Sequence, residues 1–255
     1  HAAIAKNHPR LFAAPADLRD VVAALWTGRW DLPVDRPHAT ELISDPSVNI
    51  AFEAGPSGTE SRVVGVWTRL WRRTLAGKGH VRAVKLRPGA VRAFIPVPAV
   101  DLVNRITPLH EIFGRATRRL EERILRADDE TAFRIMTEWL RTVRCRDGAT
   151  ALAVSVVDRI VKDPSLTRME DLARVSGYGP RALQRLFRDE VGASPTWVIR
   201  RYRLQEAALR IERGDPQSLA ALAASLGYAD QAHLARDFKR AVGKSPSAFA
   251  ADVHR

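Results

Sequence analysis

The 255-residue chain carries 45% hydrophobic and 27% charged residues, a balance that buries a core rather than staying disordered. No apolar run approaches the roughly 20 residues that span a bilayer, the N-terminus lacks a signal-peptide core, and a single cysteine, Cys145, excludes an internal disulfide or a multi-cysteine zinc site, all of which predict a cytoplasmic protein. Its 41 Lys+Arg against 29 Asp+Glu give a net charge of +12, spread over both halves, which favours a polyanionic partner without locating it.

From about Val21 to Ile95, short runs rich in β-branched and aromatic residues alternate with breakers. The runs are VVAALWTGRW, HATELIS, VNIAFEAG, RVVGVWTRLW, HVRAVKLR and VRAFIPV; the breakers include Asp45-Pro46, Gly55-Pro56-Ser57-Gly58, Gly77-Lys78-Gly79 and Pro88-Gly89. Such spacing predicts an antiparallel β-barrel or sandwich. After Pro108 the texture changes. Residues 115–126, 129–145 and 149–162 lack proline and place apolar residues such as Leu120, Ile124 and Leu125 on one face, so they predict helices suited to subunit contacts or interdomain coupling. The last of them stops at Asp163-Pro164. The expected division is 1–110, a β-rich region; 111–164, a helical connector; and 165–255, an all-α region.

The third region holds an internal duplication. LARVSGYGPRALQRLF at 172–187 matches LAASLGYADQAHLARDF at 222–238: Gly177-Tyr178 with Gly227-Tyr228, Leu183 with Leu234, and Phe187 with Phe238. Further on, Gly192 matches Gly243 and Ser194-Pro195 matches Ser245-Pro246. Two copies at a period of about 50 describe paired modules rather than a solenoid. Each copy reads as a short helix closed by a glycine and restarted at once, by Gly179-Pro180 in the first and by an Asp230 N-cap in the second. Helices joined by so tight a turn cross at a large angle, which is the helix-turn-helix arrangement.

On the second helix of copy one, Leu183, Leu186 and Phe187 form the apolar stripe. Arg181, Gln184, Arg185 and Arg188 fall at i, i+3, i+4 and i+7 on the opposite face. In copy two Leu234 and Phe238 face inward, leaving Gln231, His233, Arg236 and Lys239 outside. Arginine and glutamine are the side chains that pair bidentately with guanine and adenine edges. Arg188 and Lys239 lie deeper along their helices, where phosphate contact is expected.

The block from Leu166 to Val253 resembles the C-terminal DNA-binding domain of AraC/XylS-type bacterial transcription regulators, two helix-turn-helix units joined by a long helix. The resemblance rests on LARVSGYGPRALQRLFRDEVGASP, RYRLQEAALRIERGD and LAASLGYADQAHLARDFKRAVGKSPSAF, about a third of the chain. It implies that both second helices enter successive major-groove segments of double-stranded DNA, with contacts at Arg181, Gln184 and Arg185, then at Gln231, Ala232, His233 and Arg236. Two departures stand out: Gly179 replaces the usual serine cap, and Ala232 and Ala235 are small where polar contacts are common. The second helix is thus expected to read fewer bases, or a thymine methyl.

The stretches HATELISDPSVNIAFEAG and RLWRRTLAGKGHVRAVKLRPGAVRAFIPVPAVDLVNRITPLHEIFG are similar, more weakly, to a cupin-like sensory domain that precedes this module in some regulators. The full expectation is therefore an α+β multidomain protein: a cupin-like antiparallel β-barrel, a helical connector, and an all-α double helix-turn-helix. The resemblance implies an effector, a homodimer, and RNA polymerase as further partners.

Competing chemistry is weak. His38, Glu41 and His80 are the residues that could suggest a cupin metal site and hence an enzyme or carrier fused to a DNA anchor, but the clustered His-x-His such a site needs is missing, so no metal, cofactor or catalytic residue is expected. Trp26, Trp30, Trp67 and Trp71 are the candidate lining of an effector pocket, with a core role as the simpler reading. Cys145, between Arg144 and Arg146, could have a lowered thiol pKa, against the simpler reading of a partly buried small residue. Residues 61–100 hold nine Lys/Arg and no acid. They offer an anion-binding surface, an auxiliary DNA contact or a partner for acidic helices, the default being a solvated strand face.

Overall fold

The computed structural model describes residues 9–42, 45–145, 148–215 and 218–253. Six strands form one antiparallel sheet in the spatial order β1 (Arg10–Phe12), β2 (Val22–Leu32), β7 (Gly77–Leu86), β4 (Asn49–Gly55), β5 (Gly58–Val64) and β8 (Ile106–Pro108). A two-stranded ribbon, β3 (His38–Leu42) with β6 (Trp71–Leu75), lies against one face. Period-two alternation assigns the two faces. Leu25, Ile50, Phe52, Val63, Val84 and Leu86 point into the main core, while Trp30, Ala51, Val81 and Ala83 point the other way and pack with Leu75 of the ribbon. β1 and β8 each pair on one side only, so among the described residues the antiparallel architecture is an open sandwich, not a closed ring.

Two local expectations are corrected. The stretch VRAFIPV is not a strand: Val91–Ala93 is a 3-10 turn with Phe94 and Ile95 buried behind it, and Pro96 and Pro98 lack the N–H a ladder needs. Gly77-Lys78-Gly79 is not a turn, because β6 passes to β7 through Ala76 alone and Gly79 pairs with Trp30. A Cβ on Gly79 would sit 2.2 Å from the Trp30 ring. The glycine is there so that the indole can lie on the strand.

The connector holds α1 (Leu109–Phe113), which the sequence pattern did not signal, then α2 (Thr117–Arg126), α3 (Asp129–Val143) and α4 (Gly148–Lys162). Ile124, Phe133, Met136 and Leu140 cover the sheet's main face. The remaining helices are α5 (Met169–Ser176), α6 (Pro180–Leu186), α7 (Pro195–Arg213), α8 (Leu219–Ser225), α9 (Gln231–Val242) and α10 (Pro246–Val253). Among the described residues no helix is long and apolar enough to cross a membrane.

The acid-free run at 61–100 is not a solvated strand face. Arg62 and Arg73 meet on Glu53, Lys78 lies 4.0 Å from Asp31, and Lys85 pairs with Asp45. Three more cations reach acids far along the chain: Arg82 to Asp129 at the start of α3, Arg87 to Asp158 in α4, and Arg92 to Glu190 beyond α6. Of the three alternatives to the default, pairing with acids from elsewhere in the chain is realised at Arg82, Arg87 and Arg92.

Two buried arginines hold helix ends. Arg82 is 3% exposed, and its guanidinium donates to the Ile124 carbonyl at 3.1 Å and the Ala127 carbonyl at 2.8 Å, closing the C-terminus of α2 while its Nε meets Asp129 at 2.9 Å. Arg203 of α7 does the same for α4, donating to the carbonyls of Ile160 and Asp163, both at 2.8 Å. A cation at a helix C-terminus is favoured by the orphan carbonyls and by the macrodipole.

Candidate nucleic-acid interface

Each of the two repeats folds as helix, tight turn, helix. In the first, α5 ends at Gly177 with a left-handed φ of 75°, and α6 begins at Gly179 with Pro180 in its first turn. No side chain caps α6. In the second, α9 is capped by Asp230, whose carboxylate accepts from the His233 backbone N–H at 2.6 Å. Both Gly-x-Ser-Pro elements start helices: Ser194 accepts from the Trp197 N–H at 3.2 Å, and Ser245 accepts from the Ala248 N–H at 3.2 Å.

Leu183 and Phe187 are buried in the core of the first unit with Leu172, Val191, Val198 and Ile199, and Leu234 and Phe238 are buried in that of the second with Leu204, Leu222 and Phe249. With these sides inward, Arg181, Gln184 and Arg185 are exposed on α6 and Arg188 just beyond it, and Gln231, Ala232, Arg236 and Lys239 are exposed on α9. The exposed residues do not stand alike. Arg188 chelates Asp189, with Nε at 2.8 Å and a second nitrogen at 3.2 Å. Arg185 borders a crevice of about 230 Å³ that also touches Arg92, Leu152, Tyr178 and Glu190. His233 is half-buried, edge-on to the Tyr228 ring at 5.1 Å, with Nε2 3.6 Å from Asp237.

One helix ties the units together. The first half of α7 packs Val198 and Ile199 into the first core, and its second half packs Leu204, Ala207 and Ile211 into the second. Its 19 residues rise about 28 Å, a length near one turn of B-form DNA.

Residues 172–252 match a family model described as a helix-turn-helix domain, and residues 10–108 match one described as a domain of unknown function (DUF6597). A protein of Streptomyces lividans named as an AraC-like transcription regulator is 29% identical over 127 residues, which are 49% of this chain and 40% of that protein. The transcription factor PqrA of Proteus vulgaris is 33% identical over 105 residues, covering 38% of this chain and 85% of PqrA. The chain belongs to the AraC family of transcription regulators. It spans less than half the length of the Streptomyces relative. The solved structure of ToxT from Vibrio cholerae O395 superposes with a TM-score of 0.42 at 11% identity, over 90% of this chain and 98% of ToxT.

In this AraC-family chain the N-terminal candidates are placed as two pairs. Trp26 donates through Nε1 to Asn49 Oδ1 at 3.0 Å, and Trp30, 6% exposed, donates to the Ala76 carbonyl at 3.3 Å under the Arg73 guanidinium. The rings of Trp67 and Trp71 lie 6.3 Å apart. A surface cleft of about 400 Å³ is lined by Arg29, Trp30, Asp31, Lys78 and His80, so Trp30 alone of the four borders it. Among the described residues no three His, Cys, Asp or Glu side chains are placed to hold a metal ion. His38 and Glu41 lie on β3 and His80 on β7; the Glu41 side chain falls outside the described residues. Cys145 is exposed, not partly buried. Its neighbour Arg144 is turned to the Asp17 carbonyl and the Asp20 carboxylate, and Arg146 lies outside the described residues.

The sequence pattern missed the buried polar residues that hold these AraC-type units. Asp237 sits beside Phe238, nearly buried, with Arg200 of α7 at 3.3 Å and Arg240 at 3.9 Å. Burial and the Asp237 charge raise the pKa of the neighbouring Tyr228 phenol. Arg201, buried in α7, has its pKa pushed down to about 10 by burial. A carboxylate one residue before a core phenylalanine, with arginine in the facing helix, is the signal that could have found Asp237.

Proposed function

We propose that the chain is a sequence-specific DNA-binding transcription regulator in which α6 and α9 enter neighbouring major-groove segments. Residues 165–255 are the reading domain, 111–164 the connector, and 1–110 the region that takes an effector. The observation that carries this reading is the pairing of two outward faces of base-reading chemistry, Arg181/Gln184/Arg185 and Gln231/Arg236 with half-buried His233 between them, on modules tied by one continuous α7. Arg185 and Arg236 supply most of the discrimination. Lys239 takes phosphate, and Arg188 does so after exchanging Asp189 for it. His233, leaning toward Tyr228 and Asp237, contributes less than its neighbours.

One chain covers both segments, so its site is two unlike elements about one helical turn apart and need not be palindromic. Selection of duplexes from a randomised pool tests this. The expected product is a two-element sequence; a pool that stays random while binding persists would mark a non-specific DNA binder instead.

A further inference from the structure

The two recognition helices end differently. The first closes with a wide turn in which the Gly192 N–H bonds the Phe187 carbonyl at 2.8 Å, a five-residue π step. The second closes with the ordinary four-residue step, Gly243 N–H to the Lys239 carbonyl at 2.9 Å. On the wide turn sits Glu190, 1% exposed, which accepts from Arg92 at 3.1 Å and from the Thr150 hydroxyl of α4 at 2.9 Å. Beside it, a Cβ on Gly192 would come within 2.8 Å of the Ala99 carbonyl oxygen, so the helix end and the turn over Ala99–Leu102 touch backbone to backbone. The matching position in the second unit is Ala241, which has nothing to offer an arginine.

A buried carboxylate requires its partners, because desolvation is offset only by good hydrogen bonds and opposite charge. π steps inside helices are frequent at functional sites. The segment ahead of the wide turn, α6, has seven residues and no side-chain cap at its start. Beyond the packing of Leu183 and Phe187, its direction depends on what grips its end. Arg92 and Glu190 line the same crevice as Arg185. The grip thus opens onto the same crevice as the arginine assigned to base reading.

The geometry points to Glu190 as a positioning residue: through Arg92 it makes the N-terminal region set the pose of the first recognition helix, and only of the first. Base discrimination by α6 depends on that region, whereas discrimination by α9 does not. This rests on the DNA-reading role proposed above. Regulation by an effector bound to the N-terminal region would then act on one half of the DNA site.

Two variants of the full chain test it. In Arg92→Ala the lost side chain is 40% exposed, so no core cavity forms, and Glu190→Gln keeps the shape and a bond to Thr150. Amide exchange on the protein without DNA is the first measurement. Both variants are expected to speed exchange at 183–192 and leave 234–243 unchanged; unchanged exchange at both would overturn the inference. The second measurement is discrimination between the selected duplex and its single-base variants, with positions assigned to each helix by Arg185→Ala and Arg236→Ala. We expect a loss on the order of tenfold at first-helix positions and none at second-helix positions, the coupling typical of one hydrogen-bonded network. Equal loss at both, the mark of a merely structural role, overturns the inference. If no sequence is enriched from the pool, the DNA-reading proposal fails, and the exchange pattern alone decides whether Arg92 positions α6.

Discussion

The two helix-turn-helix units share a framework of glycines, leucines and phenylalanines yet differ in what surrounds it. The first unit's core shares Ala193 and Trp197 with the main core under the sheet, and its buried acid, Glu190, faces Arg92 and α4. The second unit has a separate core, and its buried acid, Asp237, turns back on α7 through Arg200. The duplication gives two equivalent helix-turn-helix frameworks. Their buried polar residues then fastened one to the rest of the molecule and left the other attached chiefly through a single helix.

The largest test of that contrast is to remove a matched phenylalanine. Phe187 and Phe238 are both fully buried, and Phe→Ala in such places costs about 3–5 kcal/mol. Phe187→Ala is expected to lower the main unfolding transition, since its cluster is continuous with the sheet's core. Phe238→Ala is expected to leave that transition in place and give a second, earlier one confined to 204–253. Calorimetry combined with amide exchange separates the cases, and coincident transitions in both variants would break the contrast.

Next in size are the reading residues. Arg185→Ala and Arg236→Ala should each lose about 1–3 kcal/mol at one base position, the two positions lying about one helical turn apart. Titrations with cognate and random duplexes check this. Equal weakening of both by Arg185→Ala would remove its assigned role.

How much of this was legible beforehand follows from the range of each interaction. The turn glycines, the Asp230 cap, the Ser-Pro helix starts and the leucine and phenylalanine stripes are local, set by three- and four-residue spacings, and the helix bounds expected at 115–126, 129–145 and 149–162 agree with α2, α3 and α4 within two residues. Residues 91–97 have a β-like composition, but burial against the core and Pro96, with Pro98 just beyond, decide otherwise. Gly77 to Gly79 have the composition of a turn, and the Trp30 indole that needs Gly79 to lack a side chain lies some fifty residues away. The partners of Arg82, Arg87 and Arg92 lie 47, 71 and 98 residues away, respectively, and no local pattern names them. At the candidate interface the outward faces follow from helical period. The period does not reveal that Arg188 lies on Asp189 or that His233 leans on Tyr228.

The β-rich region to which the first unit is fastened also carries a pH dependence. His80 on β7 lies near the Leu125 carbonyl at the end of α2, beside Arg82. Burial first, then the Arg82 and Arg29 charges, hold its imidazole below the ordinary 6.5, against the opposing pull of that carbonyl and of Asp129. The folded state therefore prefers the neutral ring. Its stabilisation is complete above about pH 6.5 and is lost as pH falls through the lowered value. Thermal unfolding should show the midpoint declining on acidification through that window, and declining less in His80→Gln; identical profiles would remove His80 from the account.

Phosphate contacts sharpen the contrast at smaller scale. Lys239→Ala should weaken all sequences alike and reduce the slope of log affinity against log salt by about one. Arg188, at the matching place in the first unit, already lies on Asp189. Its removal should change the slope by less, and Asp189→Asn should strengthen binding to every duplex.

The smallest expected effect concerns how the two recognition helices begin. Asp230 satisfies an N–H of α9, whereas Gly179 offers α6 no side chain, and nothing lies within 4 Å of the place its Cβ would occupy. Its φ of −65° with extended ψ suits a serine. Gly179→Ser is therefore expected to add the missing cap and stabilise the first unit by a few tenths of a kcal/mol, the usual difference between glycine and serine at an N-cap. If α6 is held mainly from its far end through Glu190, the same cap should matter more in Arg92→Ala than in the wild type, because a helix released at one end depends more on the other. Equal gains in both backgrounds, read as shifts in thermal midpoint, would mean that the two ends of α6 are energetically independent.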